Sequence, residues 1–347
     1  MSDQAQGLRV LADQLRGDHT GLDGPPYTPA ESVLSSLSRT ESHLPSHAPA
    51  ELLLSDVAVA DSRLHAAVPR AVPLRHARIL AVTSGKGGVG KSNFSTNLSI
   101  TLGQLGQRVI MMDADMGLAN VHLLLGISPP YSLEHVMHGT KTLAEVMHPA
   151  AANVQLIAGG SGITELANLT NNTREAFLSG LRELDDACDL IVIDTGAGLA
   201  NNVLAFLCAV NEVVVLTTPE PTALTDAYAT IKVVSQENPG VRLMLVVNMV
   251  HSSTEGSAVA ERLKSISRQF LNIDLEYLGC IPSDPAVPKA VRTRRPFVSS
   301  APGCAAAGAI NRIIGRLGYR RGHVNSDGGV EGFLSRIQRF FQIHGRS

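Results

Sequence analysis

Residues 81–92 read AVTSGKGGVGKS, and this stretch restricts the chain to a short menu of folds. It fits the spacing G-x-x-x-x-G-K-[ST] through Gly85, Gly90, Lys91 and Ser92. An apolar run, RILAVT, leads into it, and a helix-forming stretch, NFSTNLSITLGQLG, continues from it. Glycines in such a turn let successive backbone N–H groups face inward, and the helix N-terminus behind them adds positive potential. The pattern therefore wraps Gly85, Lys86, Gly87, Gly88, Val89, Gly90, Lys91, Ser92 and Asn93 around the phosphates of a nucleotide. Lys91 neutralises the β- and γ-phosphates, and the Ser92 hydroxyl ligates Mg²⁺. The chain has six lysines against 23 arginines, yet two of the six lie in this loop, which an ordinary glycine-rich turn does not explain.

A strand–loop–helix of this kind belongs in an α/β fold, a mostly parallel central sheet with helices on both faces. Runs at 79–83, 108–112, 154–157, 190–193, 213–217, 243–247 and 275–279 are near-continuously apolar, as strands covered on both faces are. Their separations, roughly 20–40 residues, suit right-handed βαβ crossovers. These runs place one domain at 78–318. Ahead of it, 1–16 reads as a short amphipathic helix capped by Asp3, with Leu8, Leu11 and Leu15 at helical steps. Residues 17–77 hold seven of the chain's 18 prolines and no lysine, and read as a flexible linker. Residues 319–347 read as a glycine-rich loop and a final helix.

Carboxylates close two of the strand runs. RVIMM ends in Asp113-Ala114-Asp115, and LIVI ends in Asp194-Thr195-Gly196-Ala197-Gly198. The C-terminal ends of parallel strands are where open α/β sheets bind ligands.

The KGGVGK[ST] form of the loop, with Lys86 directly after Gly85, resembles the deviant Walker A signature of the MinD/ParA superfamily of P-loop ATPases. That resemblance implies an ATPase with ATP and Mg²⁺ as cofactors. It also implies a homodimer that sandwiches two ATP molecules, with Lys86 reaching into the partner's nucleotide as a charge supplied in trans. Lys86, Lys91 and Asp115 take the catalytic roles, Asp115 by orienting the attacking water. Ser92, Asp113 and Asp194 serve the metal. Gly198 presents its amide to the γ-phosphate, and Asn248 and Pro282 border the adenine.

Two further stretches, PEPTALTDAY at 219–228 and DQAQGLR at 3–9, resemble the FlhG/FleN subgroup of that family, which regulates flagellar number. In that subgroup a similar leading motif engages FlhF, a GTPase of the signal-recognition type. The resemblance carries this role to Asp3, Gln4, Leu8 and Arg9.

The tail, GVEGFLSRIQRFFQIHGRS, sets Phe333, Leu334, Ile337, Phe340 and Phe341 on one helical face with arginines opposite or at its edges. Such a face suits an anionic membrane surface. The expected protein is therefore cytoplasmic and peripheral on the inner face of the cell membrane. The resemblance implies an ATP-driven dimerising switch that controls flagellar number and placement. Two alternatives stand beside it: a MinD-like cell-division or cargo positioner, and a DNA-partitioning ATPase using Arg292, Arg294, Arg295, Arg312, Arg316, Arg320 and Arg321. A net charge of -2, 4% aromatics and no tryptophan argue against general nucleic-acid binding. The four cysteines form no C-x-x-C pair, which excludes a zinc ribbon or a thioredoxin-type site by spacing.

Overall fold

The computed structural model describes residues 77–115, 120–160, 179–185, 187–318 and 329–344. The N-terminal helix, the partner motif with Asp3, Gln4, Leu8 and Arg9, and nearly all of the linker lie outside the described residues. Eight strands form one sheet: β1 (Arg78–Ser84), β2 (Val109–Ala114), β3 (Met147–Ala151), β4 (Val154–Ile157), β5 (Leu190–Ala197), β6 (Glu212–Thr217), β7 (Arg242–Val250) and β8 (Glu276–Pro282). Their spatial order is β3-β4-β2-β5-β1-β6-β7-β8. Every neighbouring pair is parallel except β3 with β4.

All seven apolar runs are strands. The strand without a sequence signal is β3. It is short, half-exposed and carries Pro149, which is tolerated because an edge strand needs no ladder bond on its outer side. Asn153, at φ 61, turns β3 back into β4.

Alternation along each buried strand divides the core between the two faces. Ile79, Ala81, Ile191, Ile193, Val213, Val215, Leu243 and Leu245 point to one side. Leu80, Val82, Leu190, Val192, Val214, Leu216, Met244 and Val246 point to the other. On the second side lie α1 (Lys91–Gln104), α8 (Ala286–Arg292), α9 (Phe297–Ser300) and α10 (Ala305–Leu317). On the first lie α5 (Asn201–Ala209), α6 (Pro221–Glu237), α7 (Ser253–Leu271) and α11 (Gly329–His344). Three short helices, α2 (Val121–Leu125), α3 (Leu133–Met137) and α4 (Leu143–Val146), join β2 to the edge hairpin.

The N-terminal ends of four strands are tied by charge. Glu212 accepts from Arg78 at 2.7 Å and from Arg242 at 2.9 Å, and Arg242 reaches on to Glu276 at 2.8 Å. This ladder fastens β1, β6, β7 and β8 at the edge remote from the phosphate loop, leaving the C-terminal edge for chemistry.

The tail corrects an expectation. Helix α11 forms as its periodicity requires, but Phe333, Leu334, Ile337 and Phe340 are buried against the domain and not offered to lipid. Phe333 stacks on Phe206 of α5 with ring centroids 6.3 Å apart. Arg336, expected at the headgroup side, donates from Nε to the carbonyl of Ala209 at 2.7 Å, capping the last turn of α5. Amphipathicity states only that a face will be buried. Here α5, apolar along nearly its whole length, supplies the cover. Phe341 lies in the helix, and its side chain is outside the described set.

If α11 rests on α5 in solution, Phe333→Ala should lower unfolding free energy by about 3 kcal/mol, the usual cost of emptying a buried phenylalanine site. Urea denaturation followed by circular dichroism measures it; a free helix would show almost no change.

Candidate functional site

The phosphate loop connects β1 to α1 at the centre of the sheet's C-terminal edge, between β5 and β6. Two elements shape it. From β7, Asn248 donates its side-chain amide to the Val89 carbonyl at 2.8 Å. The same amide nitrogen would lie 2.4 Å from a Cβ at position 90, and Gly90 sits at φ 92, so only glycine fits there. From α6, the Asp226 backbone comes within 2.2 Å of where a Cβ on Gly85 would be. Glu220 and Thr222, at the start of α6, hold Lys86: its Nζ lies 2.7 Å from Glu220 Oε2 and 3.1 Å from Thr222 Oγ1. The stretch PEPTALTDAY is thus the wall of the loop as well as a subgroup likeness.

Lys91 is buried and faces two carboxylates. Its Nζ is 3.2 Å from Asp194 Oδ1 and 4.0 Å from Asp115 Oδ2. Ser95, one turn along α1, donates to the same Asp194 oxygen at 2.9 Å. Asp194 Oδ2 is buried without a hydrogen-bond partner. An orphaned Asp194 oxygen near the Ser92 hydroxyl offers the oxygen donors that a hydrated Mg²⁺ takes. Ser92 and Asp194 therefore fit the metal role, and the loop residues from Gly87 to Asn93 line the cavity where phosphates would lie.

Asp113 and Asp194 are direct neighbours in register on β2 and β5. Burial first, and then Asp194, push the Asp113 carboxyl up to about 7. Burial likewise pushes Asp194 up, opposed chiefly by Lys91. Both Asp113 oxygens are engaged: Oδ1 accepts from the Asp115 amide and Oδ2 from the Val121 amide, each at 3.2 Å. Asp113 thus anchors the two ends of the segment from 115 to 121. Residues 116–119 of that segment are outside the described set. Asp115 is partly open to solvent and lines the cavity beside the loop.

That cavity, about 590 Å³, is lined by the loop and by Asp115, Asn120, Leu123, Leu124, Ala197, Val291 and Arg294. Three sequence expectations look different here. The Gly198 amide donates to the Ser84 carbonyl at 2.9 Å, so in this conformation it braces β5 against the loop and is not presented to a γ-phosphate. Asn248 spends its amide on the loop, and neither it nor Pro282 lines the cavity. Ser95, Glu220, Thr222, Leu123, Val291 and Arg294 were not singled out for the site, because each reaches it only through tertiary packing. Ser95 alone carried a signal, one helical turn after Lys91.

Comparison with known proteins agrees with this geometry. A ParA family model, described as the NUBPL iron-transfer P-loop NTPase, matches residues 75–318. The antiactivator FleN of Pseudomonas aeruginosa is 35% identical over 260 residues, which are 75% of this chain and 93% of that protein. The flagellum site-determining protein YlxH of Helicobacter pylori is 36% identical over 252 residues, 70% of this chain and 82% of that one. Among solved structures, MinD of Pyrococcus horikoshii complexed with Mg-ADP superposes with a TM-score of 0.58 at 24% identity, covering 72% of this chain and all but 1% of that one (99%).

Asp113 also predicts a pH dependence. Its folded value, about 7, lies above the ordinary 3.8, so the stability it allows is complete below about pH 4 and is lost as pH rises through 7. Without nucleotide or Mg²⁺, Asp113→Asn should flatten that fall, by a few kcal/mol between pH 4 and 8. Thermal melts across this range would check it; parallel pH profiles for the two proteins would contradict it.

Proposed function

The chain belongs to the ParA/MinD family of P-loop ATPases, and we propose that within it this protein is an ATP-driven dimerising switch that sets flagellar number or placement. The observation that carries the flagellar part is the likeness to FleN and YlxH across most of the length of each. The switch part rests on Lys86. In the protomer its ammonium is exposed and held by Glu220 at the lip of the site. Two protomers meeting face to face over ATP would exchange that partner for the other subunit's phosphates, so Lys86 senses ATP and dimerisation together.

Membrane attachment follows as a second conformational step. The apolar face of α11 is occupied by α5, so lipid binding requires α11 to leave it. One released amphipathic helix binds a bilayer weakly, and a dimer presents two, which links attachment to ATP through avidity. Among the described residues no helix is long and apolar enough to cross a membrane.

The effector arm is the N-terminal DQAQGLR, acting on an FlhF-type GTPase. The iron-transfer description of the matching family model is not carried over. Cys188 and Cys208 are buried, Cys280 and Cys304 are half-buried, and among the described residues no three His, Cys, Asp or Glu side chains gather as a metal site would need. A cell-division role on the pattern of MinD is the competing reading.

A peptide of residues 1–20 added to the signal-recognition-type flagellar GTPase should accelerate GTP hydrolysis severalfold, and a Leu8→Asp, Leu11→Asp peptide should not. Absence of both binding and stimulation with the first peptide would remove the FlhF assignment and favour the cell-division reading.

A further inference from the structure

Helix α8 ends in a Schellman motif. The Arg295 amide returns to the Ala290 carbonyl and the Arg294 amide to the Val291 carbonyl, each at 3.1 Å. This closure requires a left-handed residue just past the helix end, a place where glycine is the usual occupant. Here Arg294 fills it, at φ 52. Among the described residues four non-glycines adopt positive φ. Two are asparagines, which tolerate it readily. The other two, Met249 and Arg294, both border the phosphate loop: the Met249 methyl lies beside Gly90, and Arg294 lines the loop's cavity. Backbone strain of this kind persists where a side chain is wanted for function.

The side chain itself points the same way. Arg294 is exposed, and among the described residues no carboxylate pairs with it. It shares the cavity with the inward-facing loop, Lys91, Ser92 and Asn93, a surroundings built for anions. Leu123 and Val291, both unusually exposed for aliphatic residues, stand in the same lining and give the guanidinium apolar flanks. The fold alone would accept glycine at 294 with less strain.

We propose that Arg294 is a third cation for the nucleotide, binding its phosphate chain in cis alongside Lys91 and raising affinity for ATP without taking part in bond cleavage. Sequence reading placed Arg294 with a possible DNA-binding group; its position in the cavity assigns it to the nucleotide instead. The inference rests on this cavity being the ATP site.

Arg294→Gly is the deciding variant, because glycine suits the left-handed backbone and removes only the guanidinium. Titration calorimetry in 50 mM salt should show ATP bound about tenfold more weakly, the factor for one charge-assisted hydrogen bond at a half-open site. Thermal stability without nucleotide should be equal or higher. The affinity gap should shrink in 300 mM salt, and Arg294→Lys should recover part of it. Arg295→Gln, one residue along and outside the lining, serves as the control and should bind as wild type. Wild-type ATP affinity in Arg294→Gly overturns the proposal, as does an equal loss in Arg295→Gln. A Lys91→Ala arm separates the two claims: if that variant also binds ATP normally, the cavity is not the nucleotide site.

Discussion

The contact between Lys91 and Asp194 is the hinge of the molecule. It joins the first residue of α1 to the fifth residue of β5, across 3.2 Å and away from solvent. An unpaired charge at either position would be strongly destabilising. The pair therefore requires the strand, the loop and the helix to assemble together. The Glu212 ladder at the opposite sheet edge and the split core on the two faces exist to hold this junction in register. Asp113 beside Asp194 adds a second carboxylate that one buried lysine only partly compensates, which leaves the site short of positive charge until a metal and further cations arrive.

The walls of the loop extend the same logic outward. Asn248 from β7, Asp226 and Glu220 from the start of α6, and Ser84 through its carbonyl each fix one side of it. Gly198 is held by that carbonyl, and Lys86 by Glu220, so both groups expected to meet ATP are occupied within the protomer. Helix α11 is likewise occupied by α5. On the proposed switch, contacts with phosphate, partner and lipid would each require release of one of these internal partners.

What the sequence made legible follows from how local each signal is. The loop, its flanking strand and helix, and the carboxylates of β2 and β5 announce themselves within a few residues, and the seven strands other than β3 do so by near-continuous apolarity. Strand β3 did not, since an exposed edge strand with a proline has neither signal. Phe333, Leu334, Ile337 and Phe340 lie buried in this conformation and not at the surface, because a helical pattern records that a face is covered and not by what. Asn248 was placed near the nucleotide, but its amide serves the Val89 carbonyl; a residue at a strand end has no sequence mark that separates those duties. Arg294 was visible only as one of several arginines, since its left-handed backbone is a property of the folded helix end.

On the proposed function, ATP, read through Lys86, joins two copies of this chain. Light scattering on the Asp115→Ala variant, chosen to slow turnover, tests it directly when run with Mg²⁺ and either ATP or ADP. The account predicts twice the 36.7 kDa protomer mass in ATP and the single mass in ADP, with Lys86→Ala added to Asp115→Ala giving the single mass in both. Equal masses in the two nucleotides, or a dimer that survives loss of Lys86, would contradict it.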